Sequence, residues 1–260
     1  MPPDERPPAS RRLSGWRPGQ GDLEELAALL ATAPLTVEGR LPWSSNLSLL
    51  VTVGEPLPGD EPGTEVHAVY KPGRGERPLW DFPDGLYRRE VAAAALSDAL
   101  GWGLVPPTVL RHDGPLGSGS VPLFVEADYE QHYFTLVEAG GHDEVLRAIC
   151  AFDVVANNAD RKSGHVLLGT GGRLWAIDHG LCFHEEPKLR TVVWDFAGDP
   201  VPAHLLADLA ALVDGVPPAL TRLLGRAECD AVARRAARLV ETGCFPEPVG
   251  DRPPYPWPLI

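Results

Sequence analysis

The residues LYRREVAAAALSDAL (86–100) form the clearest helical pattern in the chain, and this helix carries a glutamate on its apolar side. Glu90 lies four residues after Leu86 and three before Ala93, on a stripe continued by Ser97 and Leu100. A carboxylate on a buried stripe demands a cationic partner, because an isolated buried charge is very costly. The fold must therefore bring a positive side chain to this helix. Arg88 and Arg89 are neighbours in sequence, and Lys71, which closes the strand pattern VHAVYK (66–71), is the natural third candidate. The chain holds only three lysines, Lys71, Lys162 and Lys188, against twenty arginines, so each lysine is a candidate for a chemical requirement.

The patterning around this helix differs on its two sides. Before it, LTVEGRL (35–41), NLSLLVTV (46–53) and VHAVYK read as strands, with a turn at Pro42-Trp43-Ser44-Ser45 and a loop at 55–65. Asp22 is placed to cap a short helix, LEELAALLATA (23–33). VPPTVLRH (105–112) and VPLFVE (121–126) read as two further strands. Later, HDEVLRAICAFDVVANN (142–158) is a long apolar helix, HVLLG and RLWAID form a hairpin across Thr170-Gly171-Gly172, and helices follow at 203–214 and 227–241. The expected fold is α+β and two-lobed. A flexible tail (1–21) precedes a β-rich lobe (22–126), a mainly helical lobe (127–245) and a Pro-rich tail (246–260) too rich in proline for regular structure.

Four residues in this order supply the parts of a phosphoryl-transfer site: Lys71, Glu90, Asp160 and Asp178. Lys71 ends a strand, where it can reach a bound phosphate, and Glu90 can hold it. NNADRKSGHVLL (157–168) is a charged loop between an apolar helix and an apolar strand, with Asp160 and His165 five residues apart. A base Asp followed five residues later by a metal ligand is the spacing of a kinase catalytic loop. Asp178 ends the strand RLWAID before His179-Gly180, eighteen residues after Asp160, and can hold a divalent metal.

These motifs resemble the phosphatidylinositol 3-/4-kinase-like branch of the protein-kinase-like superfamily, and the type II phosphatidylinositol 4-kinases in particular. The matching pieces are Tyr70-Lys71-Pro72, Glu90 in REVAAAAL, Val105-Pro106-Pro107-Thr108 and Leu123-Phe124-Val125-Glu126. Asn158-Ala159-Asp160-Arg161 and Ile177-Asp178-His179-Gly180 complete the set, which spans about residues 35–185. The pattern is also similar to an actinobacterial kinase-like family. The resemblance implies ATP with Mg²⁺ or Mn²⁺. It further implies adenine held by backbone groups of Phe124, Val125 and Glu126, and phosphates covered by Ser44, Ser45 and Asn46. A plain hairpin turn accounts equally for those last three residues. His165 stands where the family has a metal-ligating Asn; it either ligates metal or turns away to hydrogen-bond the loop.

Composition narrows the partners. A net charge of -13 argues against extended nucleic-acid contact and against tight docking on anionic lipid, so a phosphoinositide acceptor is not carried over. The acceptor expected is a hydroxyl of a protein or small molecule. Four scattered cysteines make neither a zinc cage nor a disulfide framework, and no secretory signal or membrane-spanning run is visible, so the expected location is cytoplasmic. Two other readings fit parts of the pattern. One is a nucleotide-binding module without catalysis. The other is a metal hydrolase built on His165, Asp178, His179 and His184.

Overall fold

The computed structural model describes residues 20–42, 44–54, 66–248 and 254–260, with side chains from residue 23 onward. The Pro- and Arg-rich opening stretch, Trp43, the 55–65 loop, residues 249–253 and the Asp22 side chain lie outside the described residues. The elements run α1 (Gln20–Thr32), β1 (Leu35–Arg40), β2 (Leu49–Val53), β3 (Val66–Pro72), α2 (Leu86–Ala99), β4 (Thr108–Gly114) and β5 (Gly117–Pro122). Then come β6 (Ala127–Asp128), α3 (Tyr133–Ala139), α4 (Asp143–Ala156), β7 (Val166–Gly169), β8 (Leu174–Ala176), α5 (Ala203–Ala210), α6 (Pro218–Thr221) and α7 (Arg226–Thr242).

An antiparallel five-stranded sheet in the order β1-β2-β3-β5-β4 makes the smaller part. Leu26 and Leu30 of α1 pack on it against Val51, Val53, Ala68, Tyr70 and Val121. Helix α1 begins at Gln20, so Asp22 lies inside its first turn and is not its cap. Packing of the Leu26–Leu30 face outweighs the local capping signal. Its C-terminal carbonyls are satisfied by Arg111 of β4, which donates to Leu30 O at 2.9 Å and Ala33 O at 2.8 Å. In β3 burial alternates, with Val66, Ala68, Tyr70 and Pro72 buried. That alternation turns Lys71 to the opposite face of the sheet, toward Glu90 of α2.

The strand expected at 121–126 starts earlier, and its sequence, GSGSVP, explains why it was not legible. A Cβ on Gly119 would lie 2.5 Å from the Lys71 carbonyl and 2.7 Å from Tyr70 Cε2. The Tyr70 ring takes the space of side chains, and its hydroxyl donates to Gly117 O at 2.7 Å. Strand propensity was sacrificed for close approach. After Pro122 the chain leaves the sheet, anchored by Leu123 N–H to Pro107 O at 2.8 Å and Phe124 N–H to His67 O at 3.0 Å.

The larger core joins α2, α4, α5 and α7 with β7 and β8. Helix α2 contributes Ala92, Ala93, Ala94 and Leu96 to this core, and it packs against β4, β5 and α6. The helix expected at 142–158 stops at Ala156, where Asn157 takes φ 53°. The one expected at 203–214 ends at Ala210. The described end of the chain has no helix or strand, yet it is docked. Pro254 O accepts from Thr191 N–H at 3.0 Å, and Leu259 O accepts from Ser163 N–H at 2.8 Å. Among the described residues no helix is long and apolar enough to cross a membrane.

Gly119→Ala should destabilise the protein by about 1–3 kcal/mol, because the β3–β5 approach must open around the new methyl. Equilibrium urea unfolding, compared with Gly117→Ala at a left-handed φ of 95°, checks whether sterics rather than backbone strain dominate.

Candidate active site

Three side chains from three elements meet at the end of β3. Lys71 Nζ donates to Glu90 Oε1 at 2.5 Å and to Asp178 Oδ1 at 2.9 Å. The two arginines beside Glu90 are engaged elsewhere: Arg88 Nε reaches Tyr87 Oη at 3.3 Å, and buried Arg89 binds the Cys182 carbonyl and Glu228 of α7. Glu90 is 6% exposed, and its second oxygen accepts from His179 N–H at 3.1 Å. Burial raises its pKa against the pull of Lys71. Burial would lower the Lys71 ammonium, but the Asp178 and Glu90 carboxylates prevail and hold it above the usual lysine value. Asp178 is held well below the ordinary carboxylate range by Lys71. Its side chain keeps 49% exposure, so this carboxylate opens to solvent. The backbone there is left-handed, with φ 61°, a conformation that costs energy in a residue other than glycine and clusters at functional sites.

The loop that carries Asp160 is built around Arg161, which is fully buried with Asp153 of α4. Arg161 Nε and Nη2 each lie 3.0 Å from an Asp153 oxygen, a two-pronged pair. Arg161 Nη1 donates to Ile177 O at 2.8 Å, and Nη2 lies 2.7 Å from His179 Nε2. Asn158 donates to Asp153 at 3.0 Å and accepts from Asp160 N–H at 3.0 Å. The Asp160 carboxylate stands free of this lattice, 3.1 Å from Lys162 Nζ. Burial raises its pKa, partly offset by Lys162. Asp153 was not singled out from sequence. Its signal was the one used for Glu90, a carboxylate on the apolar face of a helix.

His165 faces Asp178, its Nε2 3.4 Å from Asp178 Oδ2. Its Nδ1 lies 3.0 Å from Asp160 O, which only accepts, and 3.4 Å from Lys162 N–H, which only donates; the shorter contact favours the tautomer with the proton on Nδ1. Burial pushes the pKa down to about 4, so the ring is neutral at pH 7 and Nε2 presents a lone pair. In that tautomer Nε2 and Asp178 Oδ2 converge as two electron-pair donors, an arrangement suited to a divalent cation. Among the described residues no three His, Cys, Asp or Glu side chains are grouped to hold a metal. The hydrolase grouping is not assembled. His179 is buried against Phe152 and Arg161, while His184 meets Phe82 edge to face at 5.1 Å and accepts from Glu186 N–H at 3.0 Å.

Asn46 is drawn against the segment after Lys71: its Oδ1 accepts from Arg77 N–H at 2.9 Å, and Leu47 N–H donates to Gly75 O at 3.1 Å. Ser44 and Ser45 share that turn, Ser45 exposed. At Phe124–Glu126 the Phe124 N–H is already taken by His67 O, and Glu126 O accepts from Thr170 N–H at 3.1 Å.

The His165 geometry carries a pH dependence. The folded value of about 4 lies below the unfolded value of about 6.5, so the unfolded chain binds the extra proton between them. In metal-free buffer, stability should fall as pH drops through this window. His165→Asn should flatten that fall, as read from urea unfolding at stepped pH.

No protein-family model matches the chain. Its fold is that of kinase structures. The Golgi casein kinase aligns with a TM-score of 0.55 at 16% identity, over 86% of this chain and 75% of that one. The Golgi casein kinase with Mn/ADP bound gives 0.52 at 14% identity, over 86% and 76%. Hydra Fam20 with sugar gives 0.51 at 15% identity, over 86% and 89%. In sequence, Protein Rv2133c of Mycobacterium tuberculosis is 40% identical over 271 residues, covering 90% of this chain and 95% of its own. With its two-lobed kinase-like fold, the chain belongs to the same family as Protein Rv2133c.

Proposed function

We propose that the chain is an ATP-dependent kinase that moves the γ-phosphoryl group to a hydroxyl of a protein or small molecule. The observation that carries this reading is Lys71 bridging Glu90 and Asp178 at 2.5 and 2.9 Å in a kinase-like fold. Glu90, anchored through α2 in the larger core, aims Lys71, and the ammonium neutralises ATP phosphate charge. Asp178 and His165 would hold Mg²⁺ or Mn²⁺, which supplies charge neutralisation at the phosphates. The Mn/ADP of the Golgi casein kinase structure is in keeping with such use.

Asp160 would accept the acceptor hydroxyl's proton as its oxygen bonds to the γ-phosphorus and ADP leaves. Its carboxylate, with a pKa raised by burial, is suited to a base that must also orient the hydroxyl. Backbone groups of Val125 and Glu126 are the adenine contacts in this reading, with Phe124 a wall, since its N–H is already bonded. Ser44, Ser45 and Asn46 would cover the phosphates. The nucleotide would lie between the lobes of residues 22–126 and 127–245.

Two variants test the division of labour. Asp160→Asn should keep the thermal upshift produced by ATP and Mn²⁺ while lowering phosphotransfer roughly 10²–10⁴-fold. Asp178→Ala should lose the metal-dependent part of that upshift. Equal damage to binding and turnover by both would contradict these separate roles, and a full upshift without any turnover in the parent protein would favour a nucleotide-binding module. The nitrogen of His165 should also make the upshift larger with Mn²⁺ than with Mg²⁺, a preference lost in His165→Asn.

A further inference from the structure

The rim of the Asp160 loop holds a cation that the roles above leave unused. Arg190 is laced into that loop by three hydrogen bonds. Its N–H donates to Asn158 O at 2.9 Å, its carbonyl accepts from Arg161 N–H at 3.0 Å, and its Nε donates to Ala159 O at 2.9 Å. Its two terminal nitrogens have no acceptor among the described residues, although the side chain is partly buried. Its Nε bond to the carbonyl of Ala159 holds the Arg190 side chain beside the residue next to Asp160. Lys162 is paired with Asp160 at 3.1 Å and Asp178 with Lys71 at 2.9 Å, while among the described residues no carboxylate pairs with Arg190. Nearby Lys188 is matched by Asp81 at 3.3 Å.

An arginine fixed by Nε keeps its outer pair of nitrogens as a preformed fork, and such a fork fits a carboxylate or phosphate through parallel N–H bonds. Neither outer nitrogen is buried without a partner, so the fork is open to an incoming anion. In a chain of net charge -13, this unmatched cation stands out beside the acceptor-facing carboxylate.

We propose that Arg190 reads an anion on the acceptor, so that the hydroxyl presented to Asp160 belongs to a molecule with a carboxylate or phosphate close by. The inference rests on the phosphotransfer reading of Asp160 and names the acceptor class for that site. Arg190 is a specificity residue; it takes no part in bond making.

The test is calorimetric titration of the protein loaded with Mn²⁺ and a non-hydrolysable ATP analogue. The probes are a serine peptide flanked by glutamates, the same peptide flanked by lysines, and glycerol 3-phosphate. At least one anionic probe should bind roughly tenfold tighter than the lysine peptide. Which one does so separates an acidic protein segment from a phosphorylated small molecule. Arg190→Gln should erase the preference, and Arg190→Lys, which keeps the charge but not the Nε bond, should retain part of it. Equal or tighter binding of the lysine peptide overturns the inference, as does identical behaviour of the two variants. Failure of the parent protein to load nucleotide overturns the phosphotransfer reading and this inference with it. Loading without anion preference overturns this inference alone.

Discussion

The candidate site depends on one buried ion pair, Arg161 with Asp153. Both side chains are fully shielded from solvent, and removing either would strand a charge in the core. Arg161 does more than balance Asp153. By binding the carbonyls of His165 and Ile177 and the ring of His179, it fixes in one frame the residues flanking both Asp160 and Asp178. The carboxylate of its neighbour Asp160 lies outside that frame, partly exposed and paired with Lys162. A single guanidinium thus converts an irregular loop, which would otherwise need water or secondary structure to satisfy its backbone, into a rigid support.

A second consequence concerns how the two parts of the fold meet. Glu90 rides on α2, whose alanine face belongs to the larger core, and Arg89 next to it ties the same helix to Glu228 of α7. Lys71 comes from the sheet, which has its own core under α1. The salt bridges at Lys71 therefore span two packing units, and the residue that meets phosphate in the proposed reaction also joins them. Burial and charge act in opposite directions on Lys71, and the two carboxylates win.

Much of this was legible in the residues. Glu90 on an apolar stripe required a cation, and the partner was the strand-end lysine and neither adjacent arginine, since β3 alternation aims Lys71 toward α2 while Arg88 and Arg89 point elsewhere. The helix stripes of α2, α4 and α7 announced themselves by period. What was hidden was hidden for physical reasons. Strand β5 is glycine and serine because Tyr70 needs the room, which erases the β-branched signal. The α1 start was displaced by packing on the sheet. Asp153 obeyed the same rule as Glu90, but its partner lies in a loop, where periodicity says nothing. The described end docks by the Pro254 and Leu259 carbonyls, by the Trp194 indole on Pro254 O at 3.2 Å and by Leu259 packing on the larger core, contacts that a proline-rich stretch without periodicity does not announce.

The central claim is that Lys71, held by Glu90 and Asp178, is the phosphate contact of a nucleotide site. The most direct measurement is isothermal titration of ATP with Mn²⁺ into the parent protein and into Lys71→Met, with circular dichroism confirming that both are folded. The account predicts saturable binding near one nucleotide per chain, weakened roughly tenfold or more in the variant. No binding to the folded parent protein, or equal affinity in the two, would contradict it.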